Sequence, residues 1–158
     1  MPAVRQIGVI SDTHGLLRPE ALEALKGSDL IIHAGDVGDS DILDALRTIA
    51  PTTAVRGNID TTPPCSLLPA SEIVEAGPFL IYVLHNLHDL DLDPAAAGFR
   101  AVISGHSHQP LQEERKGVLY LNPGSAGPRR FRLPVSFALL RVEQTYLRPE
   151  ILELPIAR

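Results

Sequence analysis

Short runs of apolar, β-branched residues recur along the chain, and most of them run directly into a polar segment that contains glycine. In the first third these runs are QIGVIS (6–11), LIIHAG (30–35) and TTAVRG (52–57), each of strand length. Two stretches of helical period separate them. PEALEALKG (19–27) has apolar residues at 21, 22 and 25, Pro19 at the first helical position and Gly27 as the stop. SDILDALRTIA (40–50) comes next, with Ser40 read as N-cap and Pro51 beyond its end. This βαβαβ order predicts a parallel sheet.

The second half is richer in strands. SEIVEAGPFLIYVLH (71–85) predicts a hairpin turning at Gly77-Pro78, and LQEERKGVLYLN (111–122) a hairpin over Lys116-Gly117. Between them DPAAAGF (93–99) carries the signals of a short helix, with Asp93 as N-cap and Gly98 as stop, and AVISG (101–105) reads as a buried strand. VSFALLRV and TYLRPEILEL predict a final antiparallel pair. The expected fold class is α/β, a two-sheet β-sandwich flanked by helices in α/β/β/α layers, and the expectation is one domain over 1–158.

Composition narrows the function classes. The chain has 158 residues, 44% apolar and 21% charged, with no apolar run near membrane-spanning length. A net charge of −5, no Trp and 4% aromatics argue against a nucleic-acid grip or a platform for stacking successive bases. The start of the chain lacks a signal-peptide pattern, and a single cysteine, Cys65, excludes an internal disulfide. Both features lead to an expected cytoplasmic location, with no membrane association. Oligomeric state is not legible.

The chemistry-bearing residues gather in the segments just past the strands. In order these segments are SDTHG, AGDVGD, RGNID, HN, GHSH and NPGS. In open α/β sheets sites form at the carboxyl ends of strands, and glycine lets the backbone approach closely there. Asp12, His14, Asp36, Asn58, His85, His106 and His108 offer carboxylates, imidazoles and an amide oxygen, but no thiolate. Such oxygen and nitrogen donors suit Mn, Fe, Co, Ni or Zn. Seven are too many for one tetrahedral ion and suit two ions sharing a carboxylate, roughly 3.5–4 Å apart.

The ordered set D-x-H, G-D, G-N-x-D, H, G-H-x-H and N-P-G-S resembles the calcineurin-like metallophosphoesterases, and among them the small single-domain YfcE-like phosphodiesterases. It spans Asp12 to Ser125. The resemblance implies that Asp12, His14, Asp36 and His108 hold one divalent ion. Asp36 would bridge to a second, completed by Asn58, His85 and His106, with Asn58 and His106 also counted as catalytic. It implies Mn as the first choice of metal, with Ni, Fe, Co or Zn as alternatives. A hydroxide shared by the ions would attack phosphorus in line, in a small phosphorylated substrate, most simply a phosphodiester. Asp60, Asn122 and Ser125 would support the ligands, Asp60 by orienting a ligand histidine. Arg129 and Arg130 are candidates for substrate phosphate, or plain surface arginines.

Two positions depart from the family pattern. Ile59 stands where many relatives carry a histidine proposed to protonate the leaving group, which favours substrates with good leaving groups. Asn86 replaces a usual glycine, and Asn tolerates left-handed backbone. His33, inside an apolar strand, is expected to be a hydrogen-bonded core histidine. His88 could line the substrate cleft or sit in a surface loop. Asp39, Asp89, Asp91 and Asp93 read as solvated positions or caps. NPGSAG does not match a G-x-S-x-G nucleophile elbow, and HSHQPL lacks the run of a metallo-β-lactamase. The competing class is a non-catalytic scaffold of the same fold, like the retromer subunit.

Overall fold

The computed structural model describes residues 3–156. Three parallel strands, β1 (Gln6–Ile10), β2 (Leu30–His33) and β3 (Thr52–Ala54), alternate with helices α1 (Pro19–Leu25) and α2 (Ser40–Arg47). The chain then forms the hairpin β4 (Ser71–Ala76) and β5 (Phe79–Leu84), strand β6 (Ala101–Ile103), and the hairpin β7 (Leu111–Arg115) and β8 (Val118–Asn122). It ends with β9 (Ser136–Val142) and β10 (Leu147–Glu153). The first sheet has the order β10-β9-β1-β2-β3, with β9 antiparallel to β1. The second has the order β4-β5-β6-β8-β7, with β5, β6 and β8 parallel at its centre.

Alternation along the strands separates two apolar layers. Ile7 and Val9 of β1, Ile32 of β2 and Leu140 of β9 pack against Ile81, Val83, Ile103 and Leu121 of the second sheet. The opposite face of the first sheet, with Ile10, Ile31 and Phe137, is covered by Ala21 and Leu25 of α1 and by Ile42, Leu43 and Leu46 of α2. Gly8 makes the α1 contact possible, since a Cβ there would lie 2.6 Å from Leu25 Cδ2. The fold is therefore the expected α/β two-sheet sandwich.

Three local expectations need correction. Residues 93–99 form consecutive turns, not a helix, although the Asp93 carboxylate does accept a bond from Ala96 N–H at 3.3 Å. Ala95, Ala96 and Ala97 are all exposed there, and Pro94 and Phe99 alone are buried, too little apolar surface to sustain so short a helix. The outer face of the second sheet is covered instead by this segment and a 3-10 turn at Leu87–Asp89, with Leu87 and Leu90 packed on Leu84, Val102 and Val118. The N-cap of α2 is Asp39, whose side chain accepts from Asp41 N–H at 2.9 Å; Ser40 is the first helical residue. Asn86 is extended (φ −110°), so its place needs no left-handed residue, and its side chain caps the 3-10 turn. Among the described residues no helix is long and apolar enough to cross a membrane.

Candidate metal centre

Six parallel strand ends meet at one edge of the sandwich, three from each sheet. The loop after β1 is stitched to the loop after β2 by Asp12 N–H to Gly35 O (3.0 Å), His14 N–H to Asp36 O (2.9 Å) and Gly15 N–H to Val37 O (2.9 Å). Parallel pairing thus continues past the strands while the side chains are redirected. The redirection is left-handed backbone: Asp12, His14, Asp36, His106 and His108 have φ of 56°, 47°, 57°, 73° and 61°. Non-glycine residues avoid this region at a cost of about 1–2 kcal/mol each. Five such residues clustered at one point mark a place where surrounding bonds hold the chain in a shape its local preferences oppose.

The glycines of the motifs are where neighbouring donors pack. A Cβ at Gly35 would lie 2.6 Å from His85 Nδ1, one at Gly105 would lie 2.6 Å from Asp12 Oδ2, and one at Gly57 would run into the Asp36 carboxylate. The result is two donor groups, Asp12 with His14 and His108, and Asp36 with His85 and His106. Within each group the donor atoms lie within 4.8 Å of one another. Asn58 Oδ1 joins the second group, 3.0 Å from His85 Nε2 and 3.1 Å from His106 Nδ1. Asp36 Oδ2 stands between the groups, 3.4 Å from His14 Nε2 and 3.2 Å from His85 Nε2. All seven residues expected from the sequence are brought together.

The donor set fits a divalent cation on two observations. Asp12 Oδ1 is buried with no hydrogen-bond partner, while His108, His14 and His85 Nε2 surround it at 3.5, 3.7 and 3.9 Å. A buried carboxylate oxygen without a partner is costly. Ligands about 2.1 Å from one ion lie about 3.0–3.6 Å from each other, close to these spacings. Secondly, His85 Nδ1 is 2.7 Å from the Ala34 carbonyl and must donate to it, so the neutral ring turns a bare Nε2 lone pair towards Asp36 and Asn58. Lone pairs facing oxygen acceptors need a positive charge between them.

Without an ion the same surroundings favour a proton on His85. Burial lowers the pKa of His85, but its bonds to Asp36 and to Ala34 more than offset this and raise it. For Asp36 burial acts upwards, yet the bonds from His85 and from Ile59 N–H (3.0 Å) bring its carboxyl down to about 2. His108 moves down, chiefly through burial, with Arg130 adding to the shift. Its Nδ1 is buried without a partner.

The supporting residues act through backbone. Asp60 does not orient a ligand histidine: its carboxylate accepts from Val37, Gly38 and Gly57 N–H at 3.2, 3.0 and 2.9 Å, tying the Asp36 loop to the Asn58 loop. Every residue but proline carries a backbone N–H, so no sequence pattern marks these donors, which is why this role was not legible. Asn122 donates to Gly105 O (3.0 Å) and Ser107 Oγ (3.1 Å), and Ser125 Oγ donates to Asp12 O (2.9 Å). Arg129 and Arg130 are exposed. Cys65 is a buried free thiol, its pKa raised by burial. His33 is fully buried and hydrogen-bonded, as expected. Sequence reasoning did not anticipate that it ties both ligand loops together, Thr13 on one side and Gly35 on the other. His88 is exposed and lines a cavity of about 320 Å³ beside His106. A second cavity, of about 380 Å³, opens against Asn58, His85 and His106.

Residues 6–145 match the family model described as the calcineurin-like phosphoesterase superfamily domain. The chain belongs to that superfamily. Among its relatives, the chain is 37% identical over 161 residues to a probable metallophosphoesterase of Methanothermobacter thermautotrophicus, covering 92% of this chain and 91% of that one. A solved structure described as an archaeal phosphodiesterase aligns with TM-score 0.77 at 26% identity, covering 93% of this chain and 99% of that one. Zinc-complexed Vps29 of Entamoeba histolytica shares the fold, with TM-score 0.71, 23% identity and coverage of 94% and 98%.

Proposed function

We propose that this protein is a metal-dependent phosphodiesterase with a dinuclear centre. Asp12, His14, Asp36 and His108 would hold one ion, and Asp36, Asn58, His85 and His106 the other, with Mn the first candidate. The observation that carries the reading is the Asp36 carboxylate standing between two donor groups, beside a buried Asp12 oxygen that has no other partner. Bound ions of this kind acidify water to supply a nucleophile near neutral pH and neutralise charge on phosphoryl oxygens.

The chain's own residues hold the donors rigid from behind and leave the front open. Asp12 and Asp36 are buried, and Asn58 and His106 are the exposed donors. Ile59 is 38% exposed at the end of the Asn58 loop and has no proton to give. Asp60 turns its oxygens to backbone N–H groups, so it is not placed to protonate a leaving group either. Esters whose alcohol leaves readily as an anion are therefore the favoured substrates. The likeness to Vps29 and the absence of an acid at Ile59 favour a second reading, a scaffold that uses the fold for partner binding. A complete set of seven competent donors weighs against it.

The test is turnover of bis-p-nitrophenyl phosphate and p-nitrophenyl phosphate with Mn, Ni, Mg or Zn, before and after chelation. Metal-restored activity, greater on the diester, is expected. No turnover with any metal on either ester would leave the scaffold reading.

A further inference from the structure

Three of the four phenylalanines, Phe79, Phe99 and Phe137, are buried. Phe131 is 93% exposed, and its backbone sits at φ +54°. Left-handed backbone strains a residue with a side chain, and here no burial of the ring offsets the strain. Arg129, Arg130 and Arg132 flank it and are exposed too. A chain of net charge −5 thus concentrates positive charge around one solvent-facing ring.

The stem of this loop is fixed to the metal centre. Ser125 Oγ donates to Asp12 O at 2.9 Å, Ala126 N–H to Ser11 O at 3.0 Å, and Arg18 Nη2 to Gly127 O at 3.2 Å. Gly127 lies flat against the Asp12 and Thr13 carbonyls, leaving no room for a side chain. Four residues reach at most about 14 Å, so the Phe131 backbone stays within about 14 Å of Gly127, which itself packs on the Asp12 and Thr13 carbonyls.

We infer that residues 128–132 grip the organic arm of the substrate and that this arm is a nucleoside, with Phe131 stacking on the base and Arg130 facing phosphate. The inference rests on the phosphodiesterase reading. Every base offers a π-face to an aromatic ring, and stacking of this kind discriminates without base-specific hydrogen bonds. One exposed ring serves one base, in keeping with a chain of net charge −5. A lipid surface is the poorer occupant, since stable attachment takes more apolar area than a single ring.

Binding to the metal-free protein tests this apart from catalysis. In NMR titrations thymidine 5′-monophosphate should bind about tenfold more tightly than methyl phosphate. Phe131→Ala should close that gap, and Phe131→Trp should keep it. In Mn-loaded enzyme, kcat/KM for thymidine 5′-(p-nitrophenyl phosphate) relative to methyl p-nitrophenyl phosphate should fall about tenfold in Phe131→Ala. If neither diester is turned over, the phosphodiesterase reading fails while the titrations still decide this one. A wild-type protein that binds both phosphates equally, or a gap that survives in Phe131→Ala, overturns the nucleoside assignment. So does Phe131-dependent sedimentation with phosphatidylserine vesicles in the absence of a gap, which would assign the loop to a lipid surface.

Discussion

At the scale of single residues, His33 has only one workable protonation state. Thr13 donates its hydroxyl proton to Val37 O (2.8 Å), so at 3.0 Å from His33 Nε2 it must accept, and the ring proton sits on Nε2. Nδ1 then accepts from Gly35 N–H at 3.1 Å. A second proton would face that N–H, and complete burial already pushes the pKa down to about 4, against the pull of Asp12 and Asp60. The unfolded chain protonates this histidine near pH 6.5 and the folded chain only near 4. Between those values the unfolded state binds more protons, so stability rises with pH. Its contribution is complete above 6.5 and is lost as pH falls towards 4, on the order of 3 kcal/mol. Urea unfolding of metal-free protein at about pH 7 and about pH 4.5 should therefore differ much less in His33→Gln than in wild type. An unchanged pH dependence would count against this tautomer. Gly57 shows how tightly the loops approach the donors: Gly57→Ala drives a methyl into the Asp36 carboxylate. It should weaken metal binding about 10- to 100-fold by calorimetry. The identities of the donors were legible in the sequence because chemistry dictates them. Their left-handed backbone was not, since nothing local in an Asp or His favours it.

At the scale of elements, the sequence was most reliable where period and punctuation agreed. Both hairpins turn where Gly77-Pro78 and Lys116-Gly117 stand, and α1 stops before Gly27. It was least reliable where two residues compete for one role. Asp39 and Ser40 are both good cap residues, and only the extended backbone of Asp39 (φ −150°, ψ 125°) settles which one acts. Asp39→Ala should cost about 1 kcal/mol in chemical denaturation, whereas Ser40→Ala should leave stability within a few tenths of a kcal/mol of wild type. Comparable losses would return the cap to Ser40. The failed helix at 93–99 has a related cause. Its start and stop signals were correct in kind, but they frame three exposed alanines, and a single turn that buries only Pro94 and Phe99 does not offset its own ordering.

At the scale of the whole molecule, the candidate metal centre is built from both sheets. Asp12, His14, Asp36 and Asn58 lie past strands of the first sheet, while His85, His106 and His108 lie past strands of the second. Each donor group draws on both: Asp12 and His14 with His108, Asp36 with His85 and His106. An ion in either group would tie one sheet to the other at the open edge of the sandwich. Binding to the folded state alone adds about 2.7 kcal/mol per ion at a free metal concentration about 100 times Kd. For a chain of this size each kcal/mol moves Tm by about 2–4 °C. Manganese should therefore raise Tm by about 5–10 °C for each ion bound, and chelation should reverse the shift. Wild type should take up two equivalents in calorimetric titration. His108→Ala, which damages only the first group, and His85→Ala, which damages only the second, should each take up one and keep about half of the thermal shift. A wild-type stoichiometry of one, or a single variant that abolishes both ions, would reduce the seven donors to one mononuclear site. The remaining residues would then be its supports, and Asp36 would lose its place between two metals.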